Sequence, residues 1–192
     1  MLANTPIQEG FEITNQTRSY SVVTLENGST AVISEDSRLR FYQLTVEADG
    51  RRLTGITVKH GRATFHFRPK RHDRFEVKIG DATITASARC RFRTDVGERL
   101  WGLKVFRGTV AVTVANKTSN LRKGECAVHA IGRPLSDLNV KKGIDKDPWD
   151  HWVEKQETLV MLSDIAADNR RRRGPPPVYA EGSPGGELSA PQ

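Results

Sequence analysis

The sequence predicts an all-β fold, a stack of short antiparallel hairpins that is either solenoid-like or sandwich-like, with one C-terminal helix and a disordered tail. The first observation is a two-residue alternation of apolar and polar side chains, as in Phe65 and Phe67, which share a face. The second is a series of turn signals roughly ten to twenty residues apart, a spacing typical of sandwiches, barrels and short solenoids. The alternation recurs in Phe75/Val77/Ile79, Cys90/Phe92, Trp101/Leu103/Val105 and Val110/Val112/Val114.

Each predicted turn contains a glycine. Glycine readily adopts the positive backbone φ that tight turns between strands require. The turns separate the strands, but they do not decide among a sandwich, a barrel and a solenoid. They fall at Asn27-Gly28, Asp49-Gly50, His60-Gly61, Gly80-Asp81, Val96-Gly97, Arg107-Gly108 and Lys123-Gly124.

The composition limits the size of the core and the kind of partner. With 192 residues and 36% hydrophobic content, the chain can bury one ordinary core, so we expect one main domain with appendages. Thirty Lys and Arg against 23 Asp and Glu give a formal charge of +7, which favours polyanionic neighbours or serves solubility alone. The sequence contains no apolar run of about 18 residues, and residues 1–6 lack the pattern of a secretory signal. A trimmed leader or anchor would leave the same sequence, so the compartment stays open on these grounds.

The two cysteines, Cys90 and Cys126, lie in predicted strands. We expect both side chains to point into the core, with Phe92 and Val128 as their same-face neighbours. Their separation fits no zinc-ligand spacing, so the sequence predicts no metal site. A disulfide can join them if their strands pack together in an oxidising compartment, and otherwise they are buried free thiols.

The patterning divides the chain into five segments. Residues 1–18 are polar and weakly patterned, which predicts a partly ordered lead-in. Residues 19–131 form the predicted β-domain, and residues 132–147 form a polar linker. Residues 148–168 are predicted to form a helix. Residues 169–192 are rich in Arg, Pro and Gly and carry too little apolar surface to fold, so we expect disorder.

Asp147 and Pro148 indicate where the helix begins. An Asp at the N-cap accepts hydrogen bonds from exposed backbone N–H groups, and a Pro at the first helical position needs no donor. Trp149, Trp152 and Val153 then share one face. We expect this face to pack on the β-domain; the alternative is an exposed aromatic platform for a sugar or a partner strand.

The order of these signals resembles that of the FecR-like domain, the periplasmic part of bacterial sigma-factor regulators. The family opens with a Leu-x-Asp/Asn-Gly-Ser element and a Ser-x-Leu pair, and some members close with an Asp-x-aromatic-x-x-Trp segment. Where the family commonly carries Gly-Thr-x-Phe, this chain has Arg89-Cys90-Arg91-Phe92. The matching elements are Leu25-Glu26-Asn27-Gly28-Ser29, Ser37-Arg38-Leu39, Ile56 to Phe65, Phe75 to Ala86, Gly108 to Val112, Leu121 to Glu125 and Asp147 to Trp152.

The resemblance implies a non-enzymatic binding or signal-regulating module in the bacterial envelope, in the periplasm or another extracytoplasmic location. Its expected partner is another envelope protein, which docks by surface complementarity or by adding a strand to a sheet edge. The chain does not show the cytoplasmic anti-sigma region, the membrane helix or the receptor-docking domain of full regulators. We expect no cofactor.

Alternating arginines provide the first candidate contact site. Arg89, Arg91 and Arg93 lie opposite Cys90 and Phe92 in the period of a strand, so their guanidiniums should share a face. Such a row can bind phosphates or carboxylates bidentately. The alternative is a solvated strand face that charge protects from edge pairing.

A second basic group lies at the start of the predicted tail. Its composition favours salt-dependent attraction to phosphates, although no recognition helix or interleaved aromatic residue supports nucleic-acid reading. A solvated linker is the other interpretation. With the arginine row, this group predicts the alternative function, a domain that binds a phosphorylated envelope polymer or nucleic acid. The group consists of Arg170, Arg171, Arg172 and Arg173.

The histidines predict no catalytic centre. None of them has an HxH or HExxH partner, and no Ser or Cys occupies a GxSxG context. The sequence therefore predicts a protein that is not an enzyme. The five histidines are His60, His66, His72, His129 and His151.

Overall fold

A computed structural model describes residues 5–70 and 72–158 of the chain. The described residues fall into two units, which are divided between residues 146 and 147. The first unit is built from strands and one short 3-10 turn, Leu135–Asp137. Its described strands are β1 Glu12–Thr14, β2 Ser21–Thr24, β3 Thr30–Ile33, β4 Arg38–Val46, β5 Arg52–Phe67, β6 Arg74–Ile79, β7 Ala82–Ala86, β8 Cys90–Val96, β9 Leu100–Arg107, β10 Thr109–Val114, β11 Lys117–Arg122, β12 Glu125–Ala130 and β13 Asn139–Lys142.

The long strand β5 is shared by two halves of one curled sheet. Its N-terminal part pairs with β4 and β6, and its C-terminal part pairs with β3 and β8. The first half-sheet therefore has the order β1-β4-β5-β6-β7-β10-β11, and the second has the order β2-β3-β5-β8-β9-β12-β13. The predicted all-β fold is confirmed, as a half-barrel of mixed strands to which a solenoid is only a loose likeness.

The bend in β5 lies where the sequence predicted a turn, at Gly61, so the expectation of a hairpin there was wrong. Gly61 has a φ of +86°, and a Cβ added to it would lie 2.6 Å from the Cα of Ser37. The backbone N–H of Arg62 donates a hydrogen bond to Ser37 Oγ at 2.9 Å. Ser37 packs against Gly61 and bonds to Arg62, so the chain changes direction here without reversing. One strand therefore belongs to both halves of the sheet.

The core lies on the concave side of the sheet and contains a cluster of phenylalanine rings from three strands. Phe67 stacks on Phe75 with centroids 5.0 Å apart, and Phe65 lies 5.2 Å from Phe92. These side chains are almost fully buried, as the alternation predicted. Trp101 is buried as predicted. The β5–β6 pair is parallel and the β5–β8 pair is antiparallel, so the rings come together from strands joined by both kinds of pairing.

The family-like motif near the start of the chain has a structural role. Asn27 Nδ2 donates to Asp73 Oδ2 at 3.0 Å, and Ser29 Oγ accepts a hydrogen bond from the backbone N–H of Arg68 at 2.9 Å. Asp73 also accepts from the backbone N–H of Arg52 at 3.1 Å. These bonds fasten the β2–β3 turn to both ends of β5.

Two strands lie outside the predicted β-domain. β1 falls in the segment 1–18 that was expected to be a lead-in, and β13 falls in the predicted linker 132–147. Both are short edge strands with little apolar alternation, β1 Glu12–Thr14 and β13 Asn139–Lys142, so periodicity gave no signal for them.

The helix begins where the sequence predicted. Residues 148–158 are helical, and the rest of the predicted helix lies outside the described residues. Asp150 N–H donates to Asp147 Oδ1 at 3.1 Å, and Asp147 N–H donates to Asp150 Oδ2 at 3.2 Å, which is a reciprocal capping box. Trp149 and Trp152 stack on each other, 5.1 Å apart. The packing of this helix on the strands stays a prediction. Nowhere in residues 5–70 and 72–158 does a helix have the length and apolar character needed to cross a membrane.

The cysteines correct one prediction. Cys90 points into the core as expected, but Cys126 is half-buried on the outer face, and Val128 beside it is exposed. Ala127 and His129 face inward instead, because the His129 ring packs 5.1 Å from Trp101 and its Nε2 donates to the Arg133 carbonyl oxygen at 3.0 Å. Both thiols are free in this structure, with Cys90 on the core face and Cys126 on the outer face.

Replacing Gly61 by alanine should lower the free energy of unfolding by about 2–4 kcal/mol, since both a positive φ and a steric clash oppose the new side chain. Urea denaturation measures this loss. Gly50→Ala is the matched control, because Gly50 has a φ of +81° and no atom within 4 Å of a new Cβ. The control should lose only about 1–2 kcal/mol. Equal losses in the two variants would contradict the role of the Ser37 contact.

In the native protein, a thiol reagent at mildly alkaline pH should modify Cys126 quickly and Cys90 only after denaturation. Burial raises the pKa of the Cys90 thiol to about 12, so its reactive thiolate is scarce. A chromogenic disulfide reagent releases one coloured thiolate for each thiol that it modifies, so absorbance counts the reactive thiols. A Cys126→Ser variant should show no rapid phase of colour release. Two rapid thiols in the wild type would refute this assignment.

Candidate contact surfaces

Arg91 and Arg93 of the predicted arginine row lie on the face of β8 opposite Cys90 and Phe92, while Arg89 precedes the strand. The members of the row also differ in burial. Arg93 is only 3% exposed, and its Nε donates to Asp95 Oδ2 at 2.9 Å. The other carboxylate oxygen of Asp95 accepts from Arg62 Nε at 2.6 Å. Arg93 thus belongs to an ion-pair network within the sheet. A contact role for the row stays a prediction.

The other two arginines of the row belong to a cluster that we call the basic corner, formed by Arg68, Arg89, Arg91 and Arg107 around His66. Arg91 is the direct cross-strand neighbour of both His66 and Arg107. Arg68 follows Phe67, the last paired residue of β5, and Arg89 precedes Cys90, the first paired residue of β8. The guanidinium of Arg91 lies over the Phe106 ring, 5.1 Å from its centroid. Four cations therefore gather where β5, β8 and β9 meet.

The electrostatics of His66 reflect this arrangement. His66 is 8% exposed, and burial together with the charges of Arg68, Arg89, Arg91 and Arg107 lowers its pKa from 6.5 to about 4. Arg68 Nε lies 3.5 Å from His66 Nε2, where a neutral imidazole nitrogen accepts its hydrogen bond. His66 is therefore neutral at physiological pH, and the positive charge of the corner belongs to the arginines.

Gly108 allows the backbones of two segments of the corner to approach closely. Gly108 follows β9 with a φ of +75°, and a Cβ there would lie 2.5 Å from the carbonyl oxygen of Arg89. The backbone at Gly108 thus packs directly against the backbone before β8. This close approach places Arg107 beside Arg89. Sequence reasoning missed Arg68 and Arg107 because Arg68 adjoins β5 and Arg107 lies on β9, and no local pattern links either residue to Arg89.

The edges of the curled sheet form the second candidate surface. Within residues 5–70 and 72–158, four strands pair on one side only: β1, β2, β11 and β13. Glu12 lies on β1, Lys117 and Arg122 bound β11, and Lys141 and Lys142 end β13. Strand β2, Ser21–Thr24, carries no charged side chain. Charged residues are a common protection of sheet edges, so β2 is the least protected edge of the described sheet.

A cleft of about 1330 Å³ opens beside β2, between this strand and the edge formed by β1 and β4. Val23 and Leu44 line it from the two sides. Tyr20 and Val22, at the rim, are exposed by 56% and 44%. Asn15 fixes the start of β2, because its Oδ1 accepts from Ser21 Oγ at 2.7 Å and its Nδ2 donates to the Ile33 carbonyl at 3.0 Å. The edge is therefore held in an extended conformation beside an open groove.

The remaining candidate residues form no shared site. In the described part of the chain, no group of three or more His, Cys, Asp or Glu side chains is placed to hold a metal ion. His60, His72 and His151 are exposed, and His129 is buried against Trp101. The predicted basic group at residues 170–173 lies outside the described residues.

The His66 imidazole should titrate near pH 4 in the folded protein, and NMR of its ring protons measures this pKa. The unfolded state takes up a proton near pH 6.5, so His66 favours folding above that pH, and this contribution is lost as the pH falls towards 4. The free energy of unfolding should fall more steeply over this range in the wild type than in His66→Gln. A native midpoint near 6.5 would contradict the proposed environment.

The fold is shared with two solved structures. Both are crystal structures of a proposed anti-sigma factor from Parabacteroides distasonis ATCC 8503, with TM-scores of 0.58 and 0.57 and sequence identities of 17% and 19%. Each comparison covers 69% of this chain and 60% of the other, so the chain spans less than two thirds of the length of those proteins. At this identity, the likeness shows the fold alone.

Comparison of the sequence with curated proteins gave no match. The model of the FecR protein family, in contrast, matches residues 12–111, which is more than half of the chain. The matched range runs from β1 into β10 and includes the whole of β5. The resemblance expected from the sequence motifs is thus confirmed, and the chain belongs to the FecR protein family.

Proposed function

We propose that this chain is an extracytoplasmic signal-regulating module that works by contact with another protein of the bacterial envelope. FecR family proteins are envelope-associated regulators of a non-enzymatic kind, and their kinship with anti-sigma factors implies protein partners. The periplasm is the location that fits this family. The chain acts by presenting a surface, and the partner supplies the signal.

The contact surface is the edge of β2. The observation that carries this proposal is the absence of charge on β2, in contrast to the other three single-paired strands of the described sheet. An edge strand offers a row of backbone N–H and C=O groups to an added strand, and the alternate side chains of that strand give specificity. Val22 projects from the middle of this edge.

The cleft beside β2 favours an extended segment of the partner as the occupant. A strand added to β2 would place its inward side chains against the groove lined by Val23 and Leu44. Burial of such apolar side chains stabilises the complex by about 25 cal/mol for each Å² removed from water. We therefore expect a partner segment with alternating apolar residues.

Val22→Lys should weaken binding of the envelope partner by at least about tenfold, because the substitution places a charge in a surface that binding would desolvate. A pull-down from envelope extract at moderate salt, followed by mass spectrometry, identifies the partner. Biolayer interferometry with the purified partner then measures the dissociation constant.

Val140→Lys is the matched control. Val140 lies on the edge strand β13 and is 43% exposed, against 44% for Val22, and its neighbours already include Lys141 and Lys142. The affinity of the Val140→Lys variant for the envelope partner should stay within about twofold of the wild type. A folded wild-type bait that recovers no envelope protein, or a Val22→Lys variant that binds as well as Val140→Lys, would refute the proposal.

A further inference from the structure

The basic corner is an arrangement that the fold does not need for its own stability. Arg91 and Arg107 are direct cross-strand partners, and like charges in such pairs destabilise a sheet. Desolvation and the charges of Arg107 and Arg68 lower the pKa of Arg89, the direction expected for guanidiniums that lie close together. A cluster that opposes folding calls for a compensating function.

The sheet contains a clear contrast to this cluster. Arg38 pairs with Glu12 at 3.4 Å, Arg52 pairs with Glu26 at 3.2 Å, and Arg93 pairs with Asp95 at 2.9 Å. In the described segments, by comparison, the side chains of Arg68, Arg89 and Arg107 form no ion pair with a carboxylate. The chain thus neutralises arginines elsewhere on the sheet and leaves these three to face solvent.

The backbone of the corner is held by strand pairing. Arg107 is the last residue of β9, and Arg68 and Arg89 each lie one residue from the paired residues Phe67 and Cys90. The backbone at Gly108 packs against the Arg89 carbonyl, which keeps Arg107 close to Arg89. The three side chains therefore extend from neighbouring backbone positions that need no rearrangement before a ligand binds.

We infer that Arg68, Arg89 and Arg107 form a binding site for a ligand with two or more clustered phosphoryl groups. The guanidinium fork matches a phosphoryl group bidentately, and several guanidiniums close together match a ligand whose negative charges are equally close. Neutral His66 fills the centre of the site without adding charge. This site goes beyond the protein contact proposed for β2 and does not depend on it.

The ligand can come from two sources with the same chemistry, a soluble polyphosphoryl compound or the headgroups of an anionic lipid surface. Inorganic pyrophosphate, titrated calorimetrically into the full chain at about 0.15 M salt, tests the first source. Flotation with phosphatidylglycerol vesicles, against vesicles of phosphatidylcholine alone, tests the second. Whichever probe binds identifies the source.

Specificity for the corner is tested with two triple variants of equal charge. The corner variant combines Arg68→Gln, Arg89→Gln and Arg107→Gln. It should bind the probe at least about tenfold more weakly, because each substitution removes a hydrogen bond between charged groups. The control replaces three exposed arginines of the first half-sheet by Gln, namely Arg40, Arg74 and Arg122, and should change affinity by less than about threefold. Both variants retain residues 170–173.

A second readout separates loss of the site from loss of the fold. Pyrophosphate should raise the thermal midpoint of the wild type and of the control but not of the corner variant. Without ligand, the corner variant should be at least as stable as the wild type because repulsion is removed. If the triple variant does not fold, Arg107→Gln alone carries the test.

The inference is overturned if neither pyrophosphate nor anionic vesicles bind the wild type. It is also overturned if the corner and control variants bind equally, which would assign the attraction to net charge or to the arginines at 170–173. Tighter binding of a polyglutamate peptide than of pyrophosphate would reject a phosphoryl ligand in favour of an acidic protein segment.

Discussion

The approach of Gly61 to Ser37 is the constraint on which the rest of the structure depends. Because no side chain stands between them, the Arg62 N–H reaches Ser37 Oγ, and β5 bends while it continues as one strand. That single strand pairs with four others, two in each half of the sheet. Two of its inward residues, Phe65 and Phe67, pack against phenylalanine rings of β8 and β6. The core and the two faces follow from this bend.

The motifs that mark the family are best understood as parts of the same framework. Ser37 receives the bend of β5, and Asn27 and Ser29 fasten the β2–β3 turn to Asp73 and Arg68. The hydrogen bonds of these residues join separate segments of the chain to one another. Their effect on function is indirect, since they determine where the edge of β2 and the end of β5 lie.

The two candidate surfaces lie on one half-sheet and use different physics. The edge of β2 offers backbone hydrogen bonds and apolar side chains, which favour a protein strand. The basic corner offers fixed guanidiniums, which favour an anion. One cross-strand row connects them, from Thr24 through Thr30 and His66 to Arg91. The two proposed contacts would therefore fall on neighbouring parts of one sheet.

Alternation in the sequence by itself determined the fold class and the inward faces at Phe65 and Trp101, and the Asp147-Pro148 capping signal determined the start of the helix. These features depend on neighbours within a few residues. The sequence could not determine that Cys126 faces outward, since His129 is accommodated inside only through Trp101 and the Arg133 carbonyl. It could not separate Arg93, neutralised by Asp95, from Arg89, nor gather Arg68 and Arg107 beside it. Those outcomes belong to the tertiary structure, because strand pairing joins residues far apart in the chain, and only the pairing decides which charges meet.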